Sequence, residues 1–358
     1  MSPHGIPGRA APLRVLFVSP GVLAGAHLVF VRREADALRA AGHEVEVFGF
    51  DNSRYSPAHL ARQVTLLRDA IRRARPDILH AQFGKFNALI CSVAVLLSDE
   101  KPPLVITFRG TDINRNTRYS ALRSALGIAA SQAAAFAARA LVCVSREIRD
   151  KVWAAALRPA LVVPTGVDLR TFVPMARERA RARLGWRAEE RVVLFNAGRN
   201  PAVKDPELAA AAVAQAKTQL DGIRFVVLDG TAAPEEIPLY MNAADCLLVT
   251  SRTEGSPTVV QEAMACNLPV VSVDVGDVRE RLLGVRHCAV VRRDPAALGL
   301  ALATLLRQPR RSDGRAHAEA LSVDAIAARL VELYGALLSP RLAGPNHRKL
   351  GPKYRPAG

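Results

Sequence analysis

The chain lacks long apolar runs, has few aromatic residues and few cysteines, and each shortage closes off a class of protein. Its longest apolar stretch, "ALICSVAVLL" from Ala88 to Leu97, is about half of the roughly 20 residues a spanning helix requires. No transmembrane segment is expected. The opening "MSPHGIPGRAAPLR" has no continuous apolar core and does not read as a secretory signal, so a cytoplasmic protein is the expectation. Aromatic residues are 5% of the total, without the paired strand rings that stack bases, which argues against nucleic acid as a partner. Cys91, Cys143, Cys246, Cys266 and Cys288 are scattered through apolar segments, with no CxxC pair and no clustered histidines. Neither zinc nor a disulfide framework is favoured, and buried free thiols are expected. Acidic residues are also in deficit, 33 against 49 Lys and Arg, a formal charge of +16. Such a surplus attracts anions, whether nucleic acid, phospholipid or a phosphorylated small molecule, and by itself chooses none of them.

At 358 residues, 50% hydrophobic and 23% charged, the chain is globular in composition and long enough for two domains. "RVLFVS", Arg14 to Ser19, is the nearly uninterrupted apolar run of a strand buried on both faces of a parallel sheet. A helix with Leu28, Val31, Ala35 and Leu38 at helical spacing follows, stopped by Gly42, and Val45 and Val47 open the next strand. Further strands are read at Ile78 to Ala81, Pro103 to Phe108 and Ala140 to Ser145. The alternation breaks at "VVPTGVDLRTFVP", Val162 to Pro174, then resumes with strands at Arg191 to Gly198, Arg224 to Asp229, Cys246 to Thr250 and Pro269 to Val273 and a helix over Pro206 to Lys217. The expected fold class is therefore α/β, with two Rossmann-like domains whose parallel sheets face across a central cleft. We place the first domain at 12–165 and the second at 175–320. A C-terminal helix at 321–340 is read as crossing back to the first domain, and the Gly, Pro and basic residues of 341–358 as a disordered basic tail.

The segment "EGSPTVVQEAM" puts two carboxylates, Glu254 and Glu262, eight positions apart around a helix start. Ser256 reads as the N-cap and Pro257 as the first helical residue. Glu254 then lies in the loop at a strand's carboxyl end, Thr258 and Glu262 share one helix face, and Val260 and Met264 share the face that packs on the sheet. Free amides near Gly255 and Thr258 at the positive end of the helix form a seat for phosphate. Three readings compete. Glu254 serves the helix terminus and Glu262 is a solvated helical residue; or the two are a glycosidase acid and base; or they clamp hydroxyls, as a carboxylate holds a ribose diol in dinucleotide folds. A phosphate seat counts against hydrolysis of a neutral glycoside. Sugar, phosphate and ribose together spell a nucleotide sugar. "NAGRNPAVKD" adds Arg199 and Lys204, five residues apart beyond the first strand of the same domain, able to neutralise a departing diphosphate or equally a solvated basic loop.

With these motifs the chain resembles the retaining glycosyltransferases of family 4, which have the GT-B fold. "SRTEGSPTVVQEAMACNLPVV" is similar to that family's E-x7-E segment, "VVPTGVDLRTFVP" to its interdomain stretch, "GRNPAVK" to its Arg/Lys pair and "FRGTD" to its first-domain acceptor-side loop. The resemblance implies that Glu262 holds the ribose diol, Glu254 the hydroxyls of the transferred sugar, and Arg199 and Lys204 the diphosphate. Gly255, Ser256, Thr258 and Gly25 would complete the donor site. It further implies retained anomeric configuration, no cofactor, no metal, and no enzymic base. His80 and Gln82 at the end of the third strand, with Arg109 and Asp112, are expected to face the cleft from the acceptor side. The chain departs from the family pattern in four places. Gly25 and Ala26 replace a Gly-Gly pair. Arg109 replaces a histidine, which suits an anionic donor or acceptor. Asn267 takes a glycine position at a left-handed helix cap, which it tolerates. Asp277 stands where a second glycine is usual, while Glu280 keeps the acidic position.

The basic surplus has its own expectation. "RQVTLLRDAIRRAR" puts Arg68, Arg72 and Arg75 on one helix face and Val64, Leu67 and Ile71 on another, and Arg118 and Arg123 follow later in the first domain. Docking of that domain on an anionic membrane surface is expected, at which a saccharide or lipid-linked acceptor is presented. The activity implied is transfer from a nucleotide sugar in cell-surface polysaccharide or glycolipid biosynthesis. A nucleotide-sugar epimerase of the same fold and a non-catalytic carbohydrate-binding assembly subunit are the alternatives.

Overall fold

Two separate parallel sheets carry the chain, and each is built from the short apolar runs that the sequence spaces between amphipathic helices. The computed structural model describes residues 11–21, 28–51, 56–115, 120–198 and 201–339. The first sheet holds β1 (Arg14–Pro20), β2 (Glu44–Phe50), β3 (Ile78–Ala81), β4 (Leu104–Phe108), β5 (Ala140–Cys143) and β6 (Ala160–Val162), in the spatial order β2-β1-β3-β4-β5-β6. The second holds β7 (Arg191–Asn196), β8 (Ile223–Leu228), β9 (Cys246–Val249), β10 (Val270–Val273) and β11 (Ala289–Val291), in the order β11-β10-β9-β7-β8. Every pairing is parallel. The strand order reverses at β1/β3 in one sheet and at β7/β9 in the other, and ligands of open α/β sheets bind outside the carboxyl ends of the strands at such switch points.

Strand alternation decides what each face buries. In β1, Leu16 and Val18 point into a core with Leu67 and Ile71 of the helix Pro57–Ala74, Ala88 and Cys91 of the helix Lys85–Leu96, and Ala134 of the helix Ala121–Ala137. Val15 and Phe17 point the opposite way, onto Val31, Ala35 and Leu38 of the helix Val29–Ala40 and onto Ile326, Leu330 and Tyr334 of the helix Val323–Leu338. The last described helix of the chain therefore belongs to the core of the first sheet. Its way back is braced by the interdomain segment: Val167 N donates to Leu321 O at 2.9 Å and Val323 N donates to Val167 O at 3.0 Å, so both crossings between the domains run side by side.

His80 marks where this packing overrides the sequence reading. It does not face the cleft. It is fully buried on β3, with Nδ1 2.6 Å from the Tyr334 hydroxyl and Nε2 2.7 Å from the Thr107 hydroxyl. Burial first, and then the charge of Arg109, pushes its pKa down to about 3, so the ring is neutral, with one nitrogen holding the helix Val323–Leu338 and the other tying β3 to β4. Gln82 is also fully buried and donates to Glu34 Oε1 at 3.2 Å. Tyr334→Phe strands one buried imidazole nitrogen and is expected to lower stability by about 1–3 kcal/mol. Urea unfolding of parent and variant measures it, and equal midpoints would show that the hydroxyl contributes nothing.

Candidate active site

The loop after β9 and the loop after β7 flank the switch point of the second sheet, and they bring Glu254 and Lys204 together. Lys204 Nζ donates to Glu254 Oε1 at 2.6 Å, with both side chains still open to solvent by about a fifth, 23% and 17%. The position of Lys204 follows from local sequence. Asp205, in a left-handed conformation (φ 58°), caps the helix Pro206–Lys217 by accepting from Leu208 N, and Pro206 at the first helical position costs no hydrogen bond. Thr250 Oγ1 donates to Lys204 O at 2.8 Å, and Arg293 binds the Asp205 carboxylate while donating to Thr250 O and Ser251 O. The Lys204 turn and the exit of β9 are thus clamped to each other.

Glu262 sits one turn into the helix Thr258–Ala265, whose Val260 and Met264 are buried against the sheet. Thr258 and Glu262 are only partly buried. The N-cap expectation needs correction. Pro257 precedes the first helical residue and no side chain caps the helix, because the Ser256 hydroxyl is committed elsewhere. It donates to Asp277 Oδ2 at 2.8 Å and accepts from Gln261 Nε2 at 3.0 Å. Asp277 also accepts from Arg281 Nε at 2.7 Å. At the other end Asn267 holds φ 55°, and Leu268 N donates to Ala263 O, the backbone arrangement of a Schellman cap with asparagine in the glycine position.

From the first domain the helix Val29–Ala40 brings Arg33 to 3.6 Å from Glu262. Burial raises the Glu262 pKa to about 7, against the lowering effect of Arg33 and Lys204. A carboxyl that titrates near neutrality among two cations is suited to accept from hydroxyls and to change state as a ligand enters.

The acceptor-side expectations hold less well. Arg109 is not an open cation. Its guanidinium donates to Glu34 Oε2 at 3.1 Å, Thr165 Oγ1 at 3.2 Å and the Gln82 side chain and carbonyl, and it lies 4.6 Å from the centroid of Phe30. With its side chain 6% exposed and that of Glu34 8%, the pair is a buried, neutralised ion pair rather than a binding site for an anion. Asp112 is buried too, and its carboxylate accepts from the backbone amides of Gly84, Arg109 and Gly110. It shapes the turn. What that turn presents is backbone: a Cβ on Gly255 would collide with the Arg109 carbonyl oxygen, and one on Gly110 would lie 3.0 Å from Gly255 N. Asn114 Nδ2 donates to Thr253 Oγ1 at 3.2 Å beside the same contact. Gly25, Ala26, Arg118, Arg199 and the tail 341–358 lie outside the described residues. Among the described residues no group of three His, Cys, Asp or Glu side chains is placed to hold a metal ion.

Sequence reasoning missed Arg33, Arg293 and the supporting role of Asp277. Arg33 is one arginine among many on an amphipathic helix, and no spacing marks it. Asp277 carried a signal as a departure from a glycine, but nothing local marks it as the anchor of Ser256.

Residues 29–171 match the family model described as Glycosyltransferase Family 4, and residues 172–308 that described as Glycosyl transferases group 1. The chain belongs to glycosyltransferase family 4. The D-inositol 3-phosphate glycosyltransferase of Geodermatophilus obscurus is 33% identical over 268 residues, which are 64% of this chain and 59% of that relative. The chain thus spans less than two thirds of the relative's length. Among solved structures, sucrose-phosphate synthase from Thermosynechococcus elongatus superposes with a TM-score of 0.73 at 19% identity, over 90% of this chain and 99% of that one. Anabaena HepE in complex with UDP-glucose gives 0.68 at 18%, over 90% and 100%. At these identities the likeness is one of fold, the GT-B arrangement. Glu254 and Glu262 have the E-x7-E spacing, and Lys204 is bonded to the first of them.

The raised pKa of Glu262 favours the folded state fully below the ordinary carboxyl value of 4.5, and that contribution is lost as pH rises through about 7. Glu262→Gln is therefore expected to flatten the fall in thermal stability between about pH 5 and about pH 8, and parallel melting profiles for the two proteins would refute the assignment. Gly255→Ala forces the two loops apart and is expected to raise the radius of gyration in X-ray scattering at unchanged helix content by circular dichroism; an unchanged radius would mean that the loops absorb the methyl group.

Proposed function

We propose that the chain is a retaining glycosyltransferase that moves a sugar from a nucleotide-diphosphate donor to a saccharide or lipid-linked acceptor in the synthesis of a cell-surface polysaccharide or glycolipid. The observation that carries this reading is the grouping of Lys204, Glu254 and Glu262 at the switch point of the second sheet, within the family's motif. UDP-glucose in the HepE complex agrees with a nucleotide sugar as the donor class.

Glu262 accepts from the ribose diol and Glu254 from hydroxyls of the transferred sugar. Lys204, drawn from Glu254 toward the diphosphate, stabilises the charge that builds up on the leaving group, with Arg199 as its second cation. The bond from the anomeric carbon to the diphosphate oxygen breaks, the acceptor oxygen bonds to the same face of that carbon, and the acceptor's proton goes to the departing phosphate. No metal and no enzymic base enter this scheme.

A thermal-shift screen of UDP-, GDP- and ADP-sugars identifies the donor. With that donor, Glu262→Ala is expected to abolish measurable binding, and Lys204→Ala to leave binding in place while slowing transfer by about 10²–10³-fold. The product's anomeric configuration, read by NMR, should match the donor's. Transfer by both variants at the parent rate, or an epimerised sugar nucleotide formed without acceptor, would overturn the proposal.

A further inference from the structure

A second concentration of positive charge lies at the opposite end of the second sheet from Lys204 and Glu254. Those two follow the carboxyl ends of β7 and β9, whereas Asp245 stands immediately before the amino end of β9. Beside Asp245 is a recess of about 250 Å³, lined by Arg177, Arg310 and Arg311 together with Met175, Glu178 and Asp245. Three stretches of chain meet there. They are the residues that follow the interdomain stretch and start the helix Arg177–Leu184, the turn between the helix Ile237–Ala243 and β9, and the turn after the helix Pro295–Arg307.

The walls are fixed by bonds that leave part of this charge unmet. Arg177 Nη1 donates to Asp245 Oδ1 at 2.7 Å, and Arg181 Nη2, buried behind the recess, donates to Asp245 Oδ2 at 2.6 Å. Val192 N donates to the same Oδ2 at 2.7 Å, so the carboxylate is already taken. Arg177 Nε also reaches Glu178 Oε1 at 3.4 Å. Arg311 donates Nη1 to Ala244 O at 3.0 Å and Nη2 to Asn242 O, while Met175 N donates to Asn242 Oδ1 at 2.7 Å. One turn thus orients both sides of the recess. Carbonyls hold the Arg311 guanidinium without neutralising it, and among the described residues no carboxylate forms an ion pair with Arg310 or Arg311. Four guanidiniums therefore stand against two carboxylates, a surplus of two positive charges. Burial is the first cause that holds the Arg311 pKa below its ordinary value; Asp245 opposes it, and Arg177 and Arg181 add to it. A desolvated cation without a counter-charge is costly, and an anion relieves it.

We propose that this recess binds a phosphate group, as inorganic phosphate or as the end of a small phosphomonoester. A phosphate near its dianionic form at neutral pH matches the surplus of two charges, where a carboxylate leaves one unmet, and guanidiniums take its oxygens in pairs. The volume lies below the roughly 300–1,000 Å³ of sites for drug-sized ligands, which suits a group of this size rather than a nucleotide sugar. Bound phosphate bridges Arg177 to Arg310 and Arg311, and so fastens the residues that follow the interdomain stretch to the amino end of the second sheet. The proposal goes beyond sugar transfer and does not rest on it.

Calorimetric titration of the full chain with sodium phosphate, and separately with glycerol 3-phosphate, tests it at an ionic strength held constant with chloride. Saturable binding is expected in the parent and also in Lys204→Ala, which removes the cation of the donor side, and the tighter of the two ligands names the source of the group. Arg310→Glu, at an exposed residue, should weaken binding by about tenfold or more. Hydrogen–deuterium exchange gives a readout that needs no variant, since phosphate should slow exchange over 174–178 and 308–312. Heats no different from those of chloride, binding lost in Lys204→Ala but kept in Arg310→Glu, or exchange unchanged in both segments would each overturn the site. None of these readouts uses donor or acceptor, so their failure leaves the transfer reading intact.

Discussion

Backbone contact between the Arg109–Gly110 turn and Gly255 is the constraint on which the cleft depends. It joins the carboxyl side of β4 to the carboxyl side of β9 at a distance that only a residue without a side chain permits. The rest of the first domain's polar machinery supports that approach. Asp112 gathers three amides to form the turn, and the buried Arg109 and Glu34 pair fixes the arginine so that its carbonyl, not its charge, meets the second domain. A cation that looked suited to substrate is spent on architecture. The interdomain side chains around it, Arg33 with Glu262 and Arg146 with Glu280 at 3.8 Å, are more exposed and individually weaker.

The electrostatics of the second domain run differently. There the charged groups stay partly open and pair with each other or across the cleft: Lys204 with Glu254, and Glu262 with Arg33 of the first domain. Behind them stand deeply buried carboxylates bound to more open arginines, Asp205 with Arg293 behind Lys204 and Asp277 with Arg281 behind Ser256. A ligand that offers phosphate and hydroxyls can exchange for these partners with little loss of charge pairing, whereas it could not displace Arg109 from Glu34 without leaving a buried charge uncompensated.

The α/β architecture was legible because each strand is a short apolar run bounded by turn formers, and because the periodicity changes from two to 3.6 between runs. β3 and the helix Pro206–Lys217 carry the residue ranges read from sequence. The E-x7-E pair was legible for the same local reason: its spacing, the proline and the preceding strand lie within one stretch of chain. What was not legible depends on distant residues. A histidine at the end of a strand reads the same whether it opens on a cleft or meets Tyr334, which lies 254 positions away. Ser256 looks like an N-cap until Asp277 is seen to claim its hydroxyl. Arg109 looks like a free cation until Glu34, 75 positions earlier, is brought against it. Local chemistry is written locally; the choice between two equally good partners is made by packing.

The return of Val323–Leu338 to the first sheet bears on how the protein is made. During synthesis, the face of β1 that carries Val15 and Phe17 emerges long before the helix that covers it, with the whole second sheet translated in between. The helix Val29–Ala40 covers part of that apolar face at once, and the rest waits on the nascent chain for Ile326, Leu330 and Tyr334. The second domain, whose core is drawn from a continuous span of chain, has every element it needs earlier than the first does. Vectorial order and folding order are thus reversed: the domain that begins the chain is the last to be finished.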